Sequence, residues 1–111
     1  MIEIFAKKLR ATGDSSMPQG YRYEDDSTLH IEIIQSAGKV ATEKYYKTWD
    51  AGTEALSDLA VEVTYTYAAQ KLTSKVVKFY FEDNTVGLTL TTDFKSDDAD
   101  PNRQVIIRTK A

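Results

Sequence analysis

Residues 75–94 have the sequence KVVKFYFEDNTVGLTLTTDF, and the pattern of this stretch decides the fold. Apolar and polar residues alternate on both halves, which is typical of two half-buried β-strands. Asp83 and Asn84 lie between the halves, and both residue types tolerate the positive φ of a tight turn. A two-residue turn there makes three apolar pairs on one face: Phe81 with Val86, Phe79 with Leu88 and Val77 with Leu90. The stretch therefore predicts a hairpin whose register a one-residue slip would destroy.

A third strand is expected before the hairpin, at residues 61–69, because apolar and aromatic residues alternate there with glutamate and threonine. A five-residue loop at residues 70–74 then joins this strand to the hairpin. That loop produces three more pairs: Tyr67 with Val77, Tyr65 with Phe79 and Val63 with Phe81. The large side chains again share the face that the hairpin defines, so two independent registers agree. We therefore predict a three-stranded sheet over residues 61–94.

Residues 54–71 also carry a helical pattern, which competes with the strand. Four apolar residues share one helical face: Leu56, Leu59, Ala60 and Val63. Thr53 is a suitable N-cap, and Glu54 is favourable in a first helical turn. We expect a short helix over residues 54–60 followed by the strand, and the alternative is a single helix over residues 54–71.

The rest of the chain adds elements of the same kind. Alternating or β-favouring residues predict strands at residues 2–11, 28–35, 40–49 and 103–110. A turn at residues 36–39 places Gln35 opposite Val40. The same register puts Ile31 opposite Lys44, which is a poor pair for a core.

These elements predict a mainly β fold in a single domain, residues 1–111. About seven antiparallel strands follow one another as a meander, which we expect to form a sandwich or a partly open barrel with one short helix. The alternative fold is α+β, with a helix over residues 54–71 packed on an antiparallel sheet.

The composition excludes several classes of protein and site. The chain contains no cysteine, which rules out disulfides, thiolate metal sites and cysteine nucleophiles and fits a reducing compartment. No apolar run approaches the ~18 residues of a membrane-spanning helix, and the first residues do not resemble a signal peptide. The net charge is −3, and the basic residues form no recognisable nucleic-acid signature. We therefore expect a soluble, cytoplasmic protein that binds neither membrane nor nucleic acid.

No combination of residues predicts catalysis. His30 is the only histidine, and it alternates with Leu29 and Ile31 on the polar face of a strand. A catalytic histidine needs a nucleophile and an orienting partner, and no motif around His30 supplies them. No glycine-rich phosphate loop is present either. The sequence therefore predicts a protein that is not an enzyme and needs no cofactor.

An acidic stretch near the C-terminus is the one candidate for a metal site. Four aspartates lie in it: Asp93, Asp97, Asp98 and Asp100. Carboxylate oxygens suit Ca²⁺, but the spacing lacks the glycine and the closing glutamate of an EF-hand loop. We therefore expect a solvated acidic loop, which is able to steer a basic partner, and no metal.

Aromatic residues are numerous, with seven tyrosines and one tryptophan. Most are expected in the core, and those that remain exposed suit a protein interface or a sugar-stacking platform. The candidate binding residues are Tyr21, Tyr23, Tyr45, Trp49, Asp97, Asp98 and Asp100. We predict a small protein-binding domain, of interaction or inhibitor type, that uses this aromatic and acidic surface or a strand edge. The alternatives are a carbohydrate-binding β module that uses Tyr45 and Trp49, and a structural subunit of a larger assembly such as a phage or secretion particle.

Overall fold

The chain folds into one antiparallel β-sheet, as a computed structural model shows for the residues that it describes, 6–96 and 99–111. Six strands follow one another across the sheet in sequence order. They are β1 His30–Ser36, β2 Lys39–Asp50, β3 Ala55–Ala68, β4 Lys71–Tyr80, β5 Val86–Ser96 and β6 Gln104–Lys110. The one helical element of these ranges is a 3-10 turn at Tyr23–Asp25. The predicted mainly β antiparallel meander is therefore confirmed.

The sheet stays open and does not close into the expected sandwich or barrel. Its two edges are β1 and β6. The radius of gyration is 16.8 Å, whereas a compact chain of this length has a radius of about 13 Å. In place of a second sheet, residues 6–29 cover part of one side; we name them the covering segment. We call the side under this segment the inner face and the opposite side the outer face.

The core lies between the covering segment and the inner face. The segment contributes Leu9, Ala11, Tyr23 and Leu29, and the sheet contributes Tyr45, Ala60, Val61, Val63, Val77 and Phe79. Side chains two residues apart on a strand point to the same side, so Val61 and Val63 share the inner face, as do Val77 and Phe79. The apolar alternation that marks the strands in the sequence therefore also builds the core.

The predicted hairpin is formed by β4 and β5, with one difference in its register. Two of the predicted pairs are confirmed: Phe79 with Leu88 and Val77 with Leu90. The third differs because a β-bulge shifts the register, so that Val86 lies opposite Tyr80. The turn lies where it was expected, and Asn84 adopts a φ of 71° in it. Its backbone is closed by a hydrogen bond from the Phe81 N–H to the Thr85 carbonyl at 2.7 Å.

The strand before the hairpin is also a confirmed neighbour, but its predicted register is wrong by four residues. A two-residue turn, with Ala69 at φ 49° and Gln70 at φ 67°, joins β3 to β4 in place of the expected loop at residues 70–74. The observed pairs are Val61 with Phe79, Val63 with Val77 and Tyr65 with Lys75. Such turns favour asparagine and glycine, so this sequence does not indicate one. Because four is an even number, each side chain keeps its predicted face.

The helix expected over residues 54–60 and the alternative helix over residues 54–71 are both wrong, because β3 runs through this stretch. Ala60 is an extra residue of β3 without a partner in β2, since the register shifts at this point. The bulge places Ala60 and Val61 side by side in the core, and both are fully buried. A strand interrupted in this way acquires the apolar spacing of a helix, which explains the error.

A β-bulge also determines the register of the first hairpin, which β1 and β2 form. Gln35 lies opposite Val40, as predicted. The register then shifts by one residue, so that Ile31 lies opposite Tyr45 and not opposite Lys44. The shift replaces a poor pair with an apolar one and lets both strands follow the inner face.

The strand expected at residues 2–11 is only partly within the structure. Residues 2–5 lie outside the described ranges. Residues 6–11 form no strand of the sheet, and an isolated bridge between Leu9 and Phe81 joins them to it. This part of the chain therefore acts as a cover and not as a seventh strand.

Arg10 fastens the covering segment to the sheet. Its guanidinium donates three hydrogen bonds: to the Leu59 carbonyl at 2.8 Å, to the Glu82 carbonyl at 2.7 Å and to Asn84 Oδ1 at 2.9 Å. The planar, forked donor set of arginine suits such a group of acceptors, and lysine cannot reproduce it. Arg10 therefore connects the cover with β3 and with the β4–β5 turn at once.

Asp83, in the β4–β5 turn, makes the stability of the fold depend on pH in the acidic range. Its carboxylate accepts hydrogen bonds from the hydroxyl and the backbone N–H of Thr85 and pairs with Lys7 Nζ at 3.0 Å. These donors, the Thr85 hydroxyl first, lower the pKa of Asp83 to about 2. The unfolded chain binds the proton more tightly, so the stabilisation is present above the unfolded pKa of about 3.9 and is lost as the pH falls towards 2.

We therefore expect Asp83→Asn to be less stable than the wild type at neutral pH, and this difference to disappear as the pH falls through and below the folded-state pKa of about 2. Urea denaturation at a series of pH values measures this difference. Asp14→Asn, at an exposed loop position, is the control and should show no convergence with the wild type. If Asp83→Asn lowered the free energy of unfolding by the same amount at all pH values, the Asp83 carboxylate would not be the source of the pH dependence.

Candidate binding surfaces

β1 is an edge strand with an uncovered apolar row. Among the described residues, no strand pairs with its free side. Ile31 and Ile33 lie on the inner face, yet they are 51% and 56% exposed. β1 contains neither lysine nor proline, the residues with which natural sheets commonly block an edge. The backbone and the isoleucines of β1 are therefore accessible to an added strand.

β6 forms the opposite edge and differs in charge. Ile106 and Ile107 are partly exposed there, but Arg108 and Lys110 follow them on the same strand. Cationic side chains on an edge oppose pairing with a second strand of the same kind. β6 is therefore better protected against strand addition than β1.

Two of the predicted binding residues, Tyr23 and Tyr45, lie in the core. Their rings meet edge to face with centroids 5.0 Å apart, and Tyr23 meets Phe79 similarly at 5.8 Å. Burial raises the pKa of both phenols, that of Tyr45 to about 12. Tyr45 therefore presents no open ring for the sugar-stacking platform predicted from Tyr45 and Trp49.

The two other predicted aromatic residues remain accessible, but they belong to different surfaces. Tyr21 is half-buried, and its hydroxyl donates a hydrogen bond to Asp26 Oδ2 at 2.7 Å. Desolvation by burial and the Asp26 carboxylate raise the pKa of Tyr21. Trp49 is 46% exposed and pairs with Leu56 near the β2–β3 turn. The structure therefore does not join the predicted aromatic residues into one surface.

The acidic residues predicted to bind are only partly described. Asp97 and Asp98 lie outside the described ranges. Asp100 is exposed, and its carboxylate accepts a hydrogen bond from the Asn102 N–H at 3.0 Å. Across residues 6–96 and 99–111, no cluster of three His, Asp or Glu side chains could hold a metal ion. Partner binding by this acidic loop stays a prediction.

A groove of about 650 Å³ lies between the covering segment and the inner face of β4 to β6. Its floor is apolar and consists of Val77, Phe79 and Leu90, and its wall includes Met17, Tyr21 and Tyr23. Four cations, Arg22, Lys75, Arg108 and Lys110, and the carboxylate of Glu24 line the same groove. A volume of this size lies within the range of about 300–1,000 Å³ that ligand sites occupy.

Lys75 is held over the inner face by two aromatic rings. Its Nζ lies 5.9 Å from the ring centroid of Tyr23 and 6.0 Å from that of Tyr65. These distances suit cation–π attraction. Desolvation by burial, together with the hydrogen bond that the Tyr65 hydroxyl donates to Glu43, raises the pKa of Tyr65. The cation is therefore positioned by neutral aromatic groups.

Sequence reasoning missed the residues that define these surfaces. The alternation in β1 shows that Ile31 and Ile33 share a face, but not that this face is left uncovered. Lys75 and Arg108 are far apart in the sequence, and the sheet places both opposite Thr92. Correct registers for β4, β5 and β6 would have shown that Lys75 and Arg108 lie on either side of Thr92.

The sheet edges and the inner-face groove are candidate binding surfaces. No helix in residues 6–96 and 99–111 is long and apolar enough to cross a membrane. Comparisons of the chain with protein-family models, with curated proteins and with solved structures find no match.

Proposed function

We propose that the protein is a small, non-catalytic protein-binding domain that receives an extended segment of a partner protein along β1. The observation that carries this proposal is the open edge of β1, where Ile31 and Ile33 are about half exposed beside unpaired backbone. An added strand gains main-chain hydrogen bonds from such an edge and specificity from alternate side-chain contacts. The expected partner segment is therefore extended, with apolar residues at every second position.

The sequence contains no recognisable set of nucleophile, base and orienting group, and this supports a non-catalytic role in which no cofactor is needed. His30 is exposed at the beginning of β1, opposite Tyr46, and no catalytic motif surrounds it in the sequence. A cytoplasmic location belongs to the same proposal, because a cysteine-free chain fits a reducing compartment.

A random peptide library displayed on phage tests the proposal directly. We expect the selected peptides to carry alternating apolar residues. They should bind the double variant Ile31→Lys/Ile33→Lys about tenfold more weakly than they bind the wild type, because the incoming strand must desolvate the added charges. Fluorescence anisotropy of one selected peptide measures the affinity. Hydrogen exchange should show new protection of amides in His30–Ser36 when the peptide is bound.

Ile106→Lys/Ile107→Lys, at the opposite edge, is the matched control and should leave the affinity unchanged. Two results would overturn the proposal: equal binding to the wild type and to the β1 variant, or new amide protection confined to other strands.

A structural subunit of a larger assembly is the second candidate, and the exposed area favours it. The accessible surface is 7848 Å², whereas a compact monomer of 12.5 kDa exposes about 6,200 Å². Neighbouring subunits on the two sheet edges would cover such an excess. Light scattering that finds a defined oligomer supports this candidate, and a strict monomer at high concentration excludes it.

A further inference from the structure

The groove on the inner face combines an apolar floor with a group of cations. Leu90 lies next to Lys110 in the sheet, and Val77 lies next to Leu90. Two residues further along each strand, Thr92 lies between Lys75 and Arg108. The row of Val77 and Leu90 therefore ends in Lys110, and the adjacent row of the same face holds Lys75 and Arg108.

The cations are available to a ligand. Among the described residues, no carboxylate lies within ion-pair distance of Lys75, Arg108 or Lys110. Arg22, in the wall, differs because it pairs with Glu24 and Asp25. The groove therefore has an excess of uncompensated positive charge, although the whole chain has a net charge of −3.

The spacing of the cations favours a peptide over a ligand with one anionic group. Arg108 and Lys110 are two residues apart on β6, so they are separated by about 6.6–6.8 Å along the strand. Residues at alternate positions of an extended peptide have the same separation. Lys75 lies two strands from Arg108, about 9.6 Å away, so both can approach an anion above Thr92.

We propose that this groove binds an extended acidic peptide segment, with carboxylates at alternate positions on Arg108 and Lys110 and a flanking aliphatic side chain on the apolar floor. The peptide carboxylate that binds Arg108 also faces Lys75 and the Thr92 hydroxyl. Because β1 and β6 are opposite edges of the sheet, this site is separate from the β1 edge and does not depend on it.

Fluorescence anisotropy with three labelled peptides tests the proposal. GESESLG carries the acidic pair and the aliphatic residue on one side of an extended chain. GQSQSLG replaces both glutamates with glutamine and so removes the charge. GESESSG replaces the leucine with serine and so removes the aliphatic side chain. We expect GESESLG to bind most tightly, and its affinity to fall as the salt concentration rises. Both altered peptides should bind more weakly.

Lys75→Gln/Arg108→Gln should weaken the binding of GESESLG about tenfold, because two ion pairs are lost. Lys78→Gln/Lys95→Gln is the matched control, since it removes the same charge from the outer face of β4 and β5. This control should bind like the wild type. The Ile31→Lys/Ile33→Lys variant should also keep its affinity, which separates this site from the β1 edge.

Several results would overturn the proposal. Equal affinity for the acidic and the glutamine peptides would show that the carboxylates are not recognised, and equal loss in both charge variants would show non-specific attraction. Tighter binding of decanoate, an aliphatic carboxylate without a peptide backbone, would assign the groove to a small amphiphile. The peptide comparisons use the wild-type chain, so they decide the question even if a variant fails to fold.

Discussion

Tyr23→Ala is expected to lower the free energy of unfolding by about 4 kcal/mol, within the range measured for truncating buried aromatic residues. Tyr23 is the residue of the covering segment that meets both Tyr45 and Phe79 edge to face. Its removal leaves a cavity between the cover and the inner face and ends both ring contacts. Urea denaturation followed by far-UV circular dichroism measures the loss.

Tyr46→Ala is the control, because Tyr46 is a half-buried tyrosine of the outer face, where no covering segment lies. Its expected cost is about 1 kcal/mol or less. Tyr23→Phe keeps the ring and should retain most of the stability. If Tyr23→Ala cost no more than Tyr46→Ala, the covering segment would not be packed on the sheet as described.

Gly87→Val is expected to cost about 3 kcal/mol, at the upper end of the range for overpacked cores. A Cβ atom at Gly87 would lie 2.7 Å from Leu9 Cδ2 and 2.8 Å from Phe81 Cζ. Both distances are far below van der Waals contact, so the cover must shift or the strand must bend. The bridge between Leu9 and Phe81 makes such a shift costly. Equilibrium unfolding in urea again provides the measurement.

A double-mutant cycle with Leu9→Ala identifies the cause of this cost. Removing the Leu9 side chain should relieve part of the strain, so the two changes together should cost less than their sum. Gly52→Ala is the control, since an added Cβ there would meet only the exposed Asp50 carboxylate, at 3.3 Å. Additive effects of Gly87→Val and Leu9→Ala would contradict the contact.

Period-two alternation is local, so the sequence located most of the strands and their faces, although it predicted a helix over the first part of β3 and a strand at residues 6–11 that the sheet does not contain. The pairs Phe79 with Leu88 and Val77 with Leu90 followed from the Asp83 and Asn84 turn alone. Partners that depend on irregular backbone were not predictable. Ala69 and Gln70 adopt positive φ although neither residue type favours it, and this placed β3 four residues from its expected register.

The candidate surfaces depended on what covers the sheet, which local patterns do not contain. The sequence predicts Tyr23 and Tyr45 as binding residues, but they face each other in the core. Ile31 and Ile33 follow the same alternation as buried residues and are nevertheless exposed. Alternation separates two faces of a strand, and only the path of the covering segment determines which part of a face is buried.

The strictly sequential strand order makes the sheet a nearly one-dimensional array, because extensive contacts occur only between consecutive strands. In such an array, stability is the sum of each strand and its nearest-neighbour interfaces, and unfolding can begin by fraying at either end. The covering segment departs from this rule, since Arg10 joins β3 to the β4–β5 turn and Tyr23 joins β2 to β4. It thereby couples β2 to β5 into one cooperative unit and leaves β1 and β6 as the elements that open first.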